Sequence, residues 1–232
     1  MSRHFFISDA HLGSRQPLAE KRLVDFLLSI RGRADGLYIL GDLFEFWFEY
    51  YRVVPGAGLG ILAQLAELRR RGTRVVFLRG NHDVWYQGVL KREFGFEGFY
   101  DELSEVVDGK RVFLLHGDVL DRQLVPRWFR SLMRSRVNAT LFSILHPDIG
   151  IGLARWIARK SREKGAKPEL VERMRDFARS KIKEGFDIVI MGHSHIPEIL
   201  ELNNGVYLNI GDWLKNFTYG LIENSRVSLE RF

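Results

Sequence analysis

The chain has 232 residues, 46% hydrophobic and 28% charged, and its 35 Lys and Arg against 29 Asp and Glu leave a net charge of +6. That length corresponds to one ordinary domain with a substantial core. The absence of cysteine excludes disulfides and thiolate metal sites and fits a reducing compartment. No apolar run approaches the ~20 residues that a membrane-spanning helix needs.

The first apolar run, Phe5-Phe6-Ile7, is entered directly from His4, so no signal peptide is expected ahead of it. It leads into Asp9-Ala10-His11. An amphipathic stretch from Leu18 to Ile30 predicts a helix, after which Leu37-Tyr38-Ile39-Leu40 ends on Gly41-Asp42. A second helical pattern, Leu59 to Leu68, precedes Val75-Val76-Phe77-Leu78 and the block Gly80-Asn81-His82-Asp83. Val112-Phe113-Leu114-Leu115 runs into His116-Gly117-Asp118, and Ile188-Val189-Ile190-Met191 into Gly192-His193-Ser194-His195.

Short continuous runs rich in β-branched and aromatic residues suit strands buried on both faces. Strands alternating with helices predict a parallel α/β core, whose ligands bind beyond the carboxyl ends of the strands. Each polar block sits at that end of its run, so the topology gathers all five at one rim. Five of the 7 histidines lie in these blocks. Of the others, His4 precedes the first strand, and His146-Pro147-Asp148 reads as an interhelical turn where proline interrupts a helix. Near the end, Val206–Ile210, Phe217–Ile222 and Val227–Arg231 read as short strands of a second, partly antiparallel sheet packed on the first.

The basic excess is local. Between Asp121 and Gly185 stand 16 Lys and Arg against 7 Asp and Glu, leaving 19 against 22 elsewhere. This segment, bounded at about 119–185 within the single domain 1–232, is far longer than an ordinary connection. Trp128, Phe129, Leu132, Met133, Val137, Leu141, Ile144 and Leu145 follow helical spacing among Arg127, Arg130, Arg134 and Arg136. Ile149, Leu153, Trp156 and Ile157 do so beside Arg155, Arg159, Lys160, Arg162 and Lys164. A third helix runs from Pro168 to Lys183, with proline in its first turn. The segment suits either a small bundle with a solvated basic face or a lid that offers cations and apolar surface to an amphiphilic anion or membrane.

The ordered series D-x-H, G-D, G-N-H-D, H-G-D and G-H-x-H resembles the calcineurin-like metallophosphoesterases from about Phe5 to Ile210. The resemblance implies a four-layer α/β/β/α sandwich holding two divalent transition metals, with Mn favoured over Fe or Zn. One ion would take Asp9, His11, Asp42 and His195. The other would share Asp42 and add Asn81, His116 and His193. A carboxylate is the ligand type here able to bridge two dications, and mixed oxygen and nitrogen donors suit these metals better than Ca. Such a pair can hold the attacking and leaving oxygens of an in-line phosphoryl displacement. His82 would then assist the phosphate or leaving oxygen, oriented by Asp83, while Asp118 would order its loop.

The run Gly41-Asp42-Leu43-Phe44-Glu45-Phe46-Trp47-Phe48, the helical insert and Gly192-His193-Ser194-His195-Ile196-Pro197 resemble one branch, the UDP-2,3-diacylglucosamine hydrolases. That resemblance implies cleavage of an acylated UDP-sugar of lipid A synthesis to UMP and 2,3-diacylglucosamine 1-phosphate. The reaction would take place on the cytoplasmic face of the inner membrane, with no obligate protein partner. Asp121 and Ser161 match substrate contacts of that branch. His82 departs from it, since the best-known members carry arginine there. The aromatic run at 44–48 suits an acyl pocket and core packing equally. A nuclease or nucleotide phosphodiesterase is the competing expectation, because a basic insert also attracts nucleic acid; a metal-holding scaffold without catalysis is a third.

Overall fold

The computed structural model describes residues 2–14, 16–50, 53, 55–83, 88–121, 135, 140, 142–162 and 168–232. Strand β1 (Arg3–Ile7) leads to helix α1 (Pro17–Ser29), β2 (Gly36–Leu40), α2 (Leu59–Arg70) and β3 (Arg74–Leu78). Next come the short α3 (Val89–Phe94), β4 (Glu97–Tyr100), β5 (Glu102–Val107) and β6 (Lys110–Leu115). Helices α4 (Pro147–Arg162) and α5 (Pro168–Lys183) follow, then β7 (Ile188–Met191), β8 (Glu198–Leu202), β9 (Gly205–Asn209), β10 (Thr218–Glu223) and β11 (Arg226–Arg231).

The strands form two sheets, ordered β11-β10-β1-β2-β3-β4 and β5-β6-β7-β9-β8. Period-two alternation divides each central strand between two cores. Phe5, Ile7, Leu37, Ile39, Val75 and Phe77 face outward onto α1 and α2, in a cluster with Leu23, Phe26, Leu62 and Leu65. Their neighbours Phe6, Tyr38, Leu40, Val76 and Leu78 face the other sheet and meet Val112, Leu114, Ile188, Ile190 and Leu208. On the far side, Phe113, Leu115, Val189 and Met191 pack on α5 through Leu170, Met174, Ala178 and Ile182. Those four residues repeat every four positions and form one helical stripe. The layers are therefore helix, sheet, sheet, helix. Truncating a fully buried side chain such as Leu114 would cost about 2–5 kcal/mol.

The expected layering holds, but its partition differs from the sequence reading. The five motif strands do not share one sheet: β1, β2 and β3 pair in parallel in the first, and β6 and β7 in the second. The final strands do not form a sheet of their own. β9 joins β7 in parallel, while β10 and β11 extend the first sheet beside β1, antiparallel. Apolar runs identify buried strands without naming their neighbours, because both faces of both sheets are covered. Strands β4, β5 and β8 escape the sequence reading because they are sheet edges without a continuous buried apolar run, β5 and β8 leaving alternate positions exposed. α1, α2 and α5 fall where the periodicity places them, and Pro147 starts α4 at its first turn.

Of the segment expected at about 119–185, the positions 127–130, 132–134, 136, 137, 141 and 164 lie outside the described residues, as do the side chains of Arg155, Ile157, Arg159, Lys160, Ser161 and Arg162. Helix α4 is described, and its Ile151 and Ala154 pack with Phe142 against Phe46, Phe48 and Tyr50. The aromatic run thus has two destinations. Phe44 and Trp47 stack with centroids 4.2 Å apart in the outer core, whereas Phe46 and Phe48 seat the insert.

Candidate metal centre

The carboxyl ends of β1, β2, β3, β6 and β7 converge, and their loops place the polar blocks together. Asp9, His11, Asp42, His193 and His195 all have positive φ, at 55°, 45°, 51°, 65° and 57°. Non-glycine residues adopt this conformation at a cost, and its concentration in five site residues marks side chains aimed by their surroundings rather than by local preference. Two glycines make room for them. A Cβ at Gly80 would collide with the Asp42 carboxylate, and one at Gly192 with both the Ser8 hydroxyl and Asp9 Oδ2.

Three overlapping groups of donor atoms result: Asp9, His11 and His195; His11, Asp42 and His82; and Asp42, His116 and His193, each within 4.8 Å mutually. Asp42 links the second and third. His195 Nε2 lies 3.0 Å from Asp9 Oδ1 and 3.3 Å from His11 Nε2. His116 Nε2 lies 3.4 Å from Asp42 Oδ2 and 3.3 Å from Asn81 Oδ1. All seven residues expected as ligands are thus gathered in one place, along with His82.

Three of the imidazoles share one orientation rule. His116 Nδ1 meets the Leu40 carbonyl at 2.7 Å, and His82 Nδ1 meets the Glu45 carbonyl at 3.1 Å. His11 Nδ1 lies 3.3 Å from the Glu45 carboxylate. Nδ1 is hydrogen-bonded outward in His116 and His82 and faces a carboxylate in His11, so a neutral ring turns the Nε2 lone pair toward Asp9 and Asp42. This is the tautomer that cation ligation requires.

Electrostatics agree with that purpose. Burial penalises the charge of Asp42, yet His82, His116 and His11 hold its carboxyl far below the usual range. Burial likewise opposes Asp9 ionisation, and His195 with His11 outweighs it. The carboxylates act reciprocally. Burial lowers His11, but Asp9, Glu45 and Asp42 raise it to about 9, and Asp42 and Asp9 raise His116 to about 10. Two buried carboxylates whose neutralising partners are titratable imidazoles form a site for exchangeable positive charge. Divalent cations displace those protons, so the donor set fits divalent cations.

Other residues were not foreseen. Glu45 and Glu49 are buried, at 2% and 1% exposure, although both sit in an aromatic run that reads as apolar. Asn216 Nδ2 donates to the His195 carbonyl at 2.9 Å and to Asp212 Oδ2 at 2.6 Å, and Trp213 N donates to the Asp9 carbonyl at 3.2 Å. The phrase Asn209-Ile210-Gly211-Asp212-Trp213, a turn-like string after an apolar strand, was the available signal. Asp83 does not orient the His82 ring, contrary to the sequence expectation. Its carboxylate accepts backbone N–H groups of Gly80, Asp42 and Leu43, at 3.0, 3.1 and 2.8 Å, and the ring is held by Glu45 instead. Asp121 Oδ2 lies 3.7 Å from His193 Nε2, at the edge of the cluster. Ser161 falls within α4, Asp118 is buried in a short 3-10 turn, and His4 and His146 lie on β1 and before α4, outside the donor groups.

A two-sheet sandwich with this motif series at one rim defines a metallophosphoesterase fold, and the calcineurin-like phosphoesterase profile matches residues 3–197. The chain belongs to that family, a family of hydrolases. Over its length it is similar to UDP-2,3-diacylglucosamine hydrolases. The one from Porphyromonas gingivalis is 32% identical over 254 residues, spanning 99% of this chain and 97% of its own. Those of Haemophilus influenzae and Neisseria meningitidis serogroup B are each 30% identical, spanning 94% of this chain and 93% and 92% of theirs. An archaeal phosphodiesterase of known structure superposes with a TM-score of 0.51 over 98% of both chains at 14% identity, which shows the shared fold.

Proposed function

We propose that this chain is a two-metal hydrolase that cleaves the pyrophosphate of UDP-2,3-diacylglucosamine, giving UMP and 2,3-diacylglucosamine 1-phosphate. The observation that carries the reading is full-length similarity to hydrolases of that name coinciding with a gathered set of donors. Asp9, His11, Asp42 and His195 would hold one ion, and Asp42, Asn81, His116 and His193 the other. Bound there, divalent ions supply charge neutralisation for the phosphoryl oxygens and an activated water. Mn is the ion we favour, ahead of Fe or Zn, from the resemblance to that branch of hydrolases; the mixed oxygen and nitrogen donors suit all three better than Ca.

His82 is the protein's own proton-handling group. Burial lowers its pKa despite Asp42, so the ring is neutral at physiological pH. Its Nδ1–H is committed to the Glu45 carbonyl, and Nε2 lies 3.8 Å from Asp42 Oδ2. A neutral Nε2 in that position accepts a proton and returns it to a leaving oxygen. Asp121, beside His193, and Ser161, on α4, are the proposed substrate contacts.

The insert supplies the lipid side of the reading. α4 turns Ile149, Leu153 and Trp156 outward at 65%, 49% and 48% exposure, a stripe at helical spacing on the most basic part of the chain. An apolar stripe in a segment rich in Lys and Arg suits an acylated anion at a membrane surface, here the cytoplasmic face of the inner membrane. Among the described residues no helix is long and apolar enough to cross a membrane, so association would be peripheral.

A panel of UDP-diacylglucosamine, nucleotides and single-stranded nucleic acid, assayed with Mn, tests the reading. Release of UMP from the lipid, lost in Asp42→Ala, is the expected result. Turnover of nucleic acid with none of the lipid would replace it with the nuclease reading.

A further inference from the structure

His11 differs from His116 and His82 in the group that meets its Nδ1. His116 and His82 rest their Nδ1 atoms on neutral backbone carbonyls, while His11 Nδ1 faces a carboxylate, Glu45 Oε2, at 3.3 Å. We propose that Glu45 is a positioning residue of the metal centre, holding His11 through its side chain and His82 through its backbone carbonyl. The proposal rests on the ligand assignment above and extends it to a residue outside the donor set.

Two facts support it. A buried carboxylate is costly without a partner, and Glu45 is 2% exposed with His11 Nδ1 3.3 Å from its carboxylate. Second, the backbone is pinned on both sides of the ring pair. Glu45 N donates to Leu12 O at 3.0 Å, Leu12 N donates to Leu43 O at 2.9 Å, and Trp47 N donates to His82 O at 3.4 Å. Side chain and carbonyl are thus fixed relative to both the His11 and His82 loops. A carboxylate on the outward nitrogen fixes the tautomer of a ligating imidazole and raises its basicity, and loss of such partners typically costs about 10–100-fold in metal affinity.

The experiment is calorimetric titration of Mn into chelated wild type, Glu45→Gln and Glu45→Ala, with circular dichroism to verify folding. Wild type should take up two ions. Glu45→Ala should bind one ion about 10–100-fold more weakly and the other nearly as before, because His116 keeps its own support on Leu40. Glu45→Gln, which keeps an acceptor and the shape, should fall between them and serves as the deciding variant where the alanine chain does not fold. Two ions bound with wild-type affinity by folded Glu45→Gln and Glu45→Ala would overturn the proposal while leaving the two-metal reading intact. Failure of wild type to bind Mn would overturn both.

Discussion

Asp83 and Asp42 stand on different loops, yet the carboxylate of the first accepts the backbone N–H of the second at 3.1 Å. The same carboxylate takes Leu43 N at 2.8 Å and Gly80 N at 3.0 Å, and Asp42 Oδ1 returns the tie by accepting His82 N at 2.9 Å. The loops after β2 and β3 are therefore one hydrogen-bonded unit, and Asp42 owes its left-handed backbone to it.

Replacing Asp83 by alanine strands several buried donors, each worth about 1–3 kcal/mol when unsatisfied. We expect Asp83→Ala to lose at least ~3 kcal/mol of unfolding free energy by that accounting, with a smaller loss in Asp83→Asn. Urea denaturation of the chelated protein measures it. Stability within about 1 kcal/mol of wild type, the scatter of ordinary surface changes, would show that the loops hold together without Asp83.

His82 should act in the chemical step rather than in metal retention. Loss of a placed acid–base group costs ~10²–10⁴-fold in rate, so His82→Ala should lower kcat by that order on a small diester such as bis(p-nitrophenyl) phosphate. Bound metal per chain, read by atomic emission, should stay near two. His82 shares a donor group with His11 and Asp42, so the alternative is concrete. Metal content falling in step with activity would make it a ligand.

The site was legible in the sequence because each ligand follows a strand whose apolar run marks its end. His4 and His146 could be set aside on the same ground. What stayed hidden was whatever depends on three-dimensional neighbours. Nothing in Phe44-Glu45-Phe46-Trp47-Phe48 says that Phe44 and Trp47 enter one core, that Phe46 and Phe48 seat an inserted helix, and that Glu45 reaches a histidine thirty-four positions earlier. Local adjacency also misled: Asp83 follows His82 in the chain, but its carboxylate turns to the backbone of another loop. The division of five parallel-type strands between two sheets was hidden for a related reason, since burial on both faces erases the pattern that would identify partners.

The metal-free protein should be alkali-sensitive. An unfolded histidine titrates near 6.5, whereas folded His11 and His116 are raised to about 9 and about 10 by Asp9, Asp42 and Glu45 acting against burial. Their contribution to stability is fully present below ~6.5 and is lost as pH rises through about 9 to 10. Asp9 and Asp42, held low, contribute in the opposite sense: theirs is present above ~4 and is lost only as pH falls below the usual carboxylate range. Scanning calorimetry in chelator should show Tm falling between about pH 7 and 10. With Mn present the histidines bind as neutral ligands, so the fall should be much smaller. Parallel curves with and without Mn would mean that these imidazoles do not meet the metal.

The insert should discriminate by acyl chain. Ile149, Leu153 and Trp156 present apolar surface on α4 at roughly half exposure or more, while Ile151 and Ala154 on another side of the helix anchor it to Phe46, Phe48 and Tyr50. Changes at Ile149 and Leu153 therefore leave those anchoring contacts in place. Each buried methylene is worth ~0.8 kcal/mol, so four or five outweigh the ~1 kcal/mol expected of one cation near an anionic surface. Ile149→Gln and Trp156→Gln should reduce turnover of a diacylated UDP-sugar by tenfold or more, since two lost methylene contacts already amount to ~1.6 kcal/mol. Hydrolysis of bis(p-nitrophenyl) phosphate should be nearly unaffected. Equal losses on both substrates would indicate damage to the fold. Unchanged rates on the lipid would place acyl recognition elsewhere, and the outward stripe would then have no part in substrate selection.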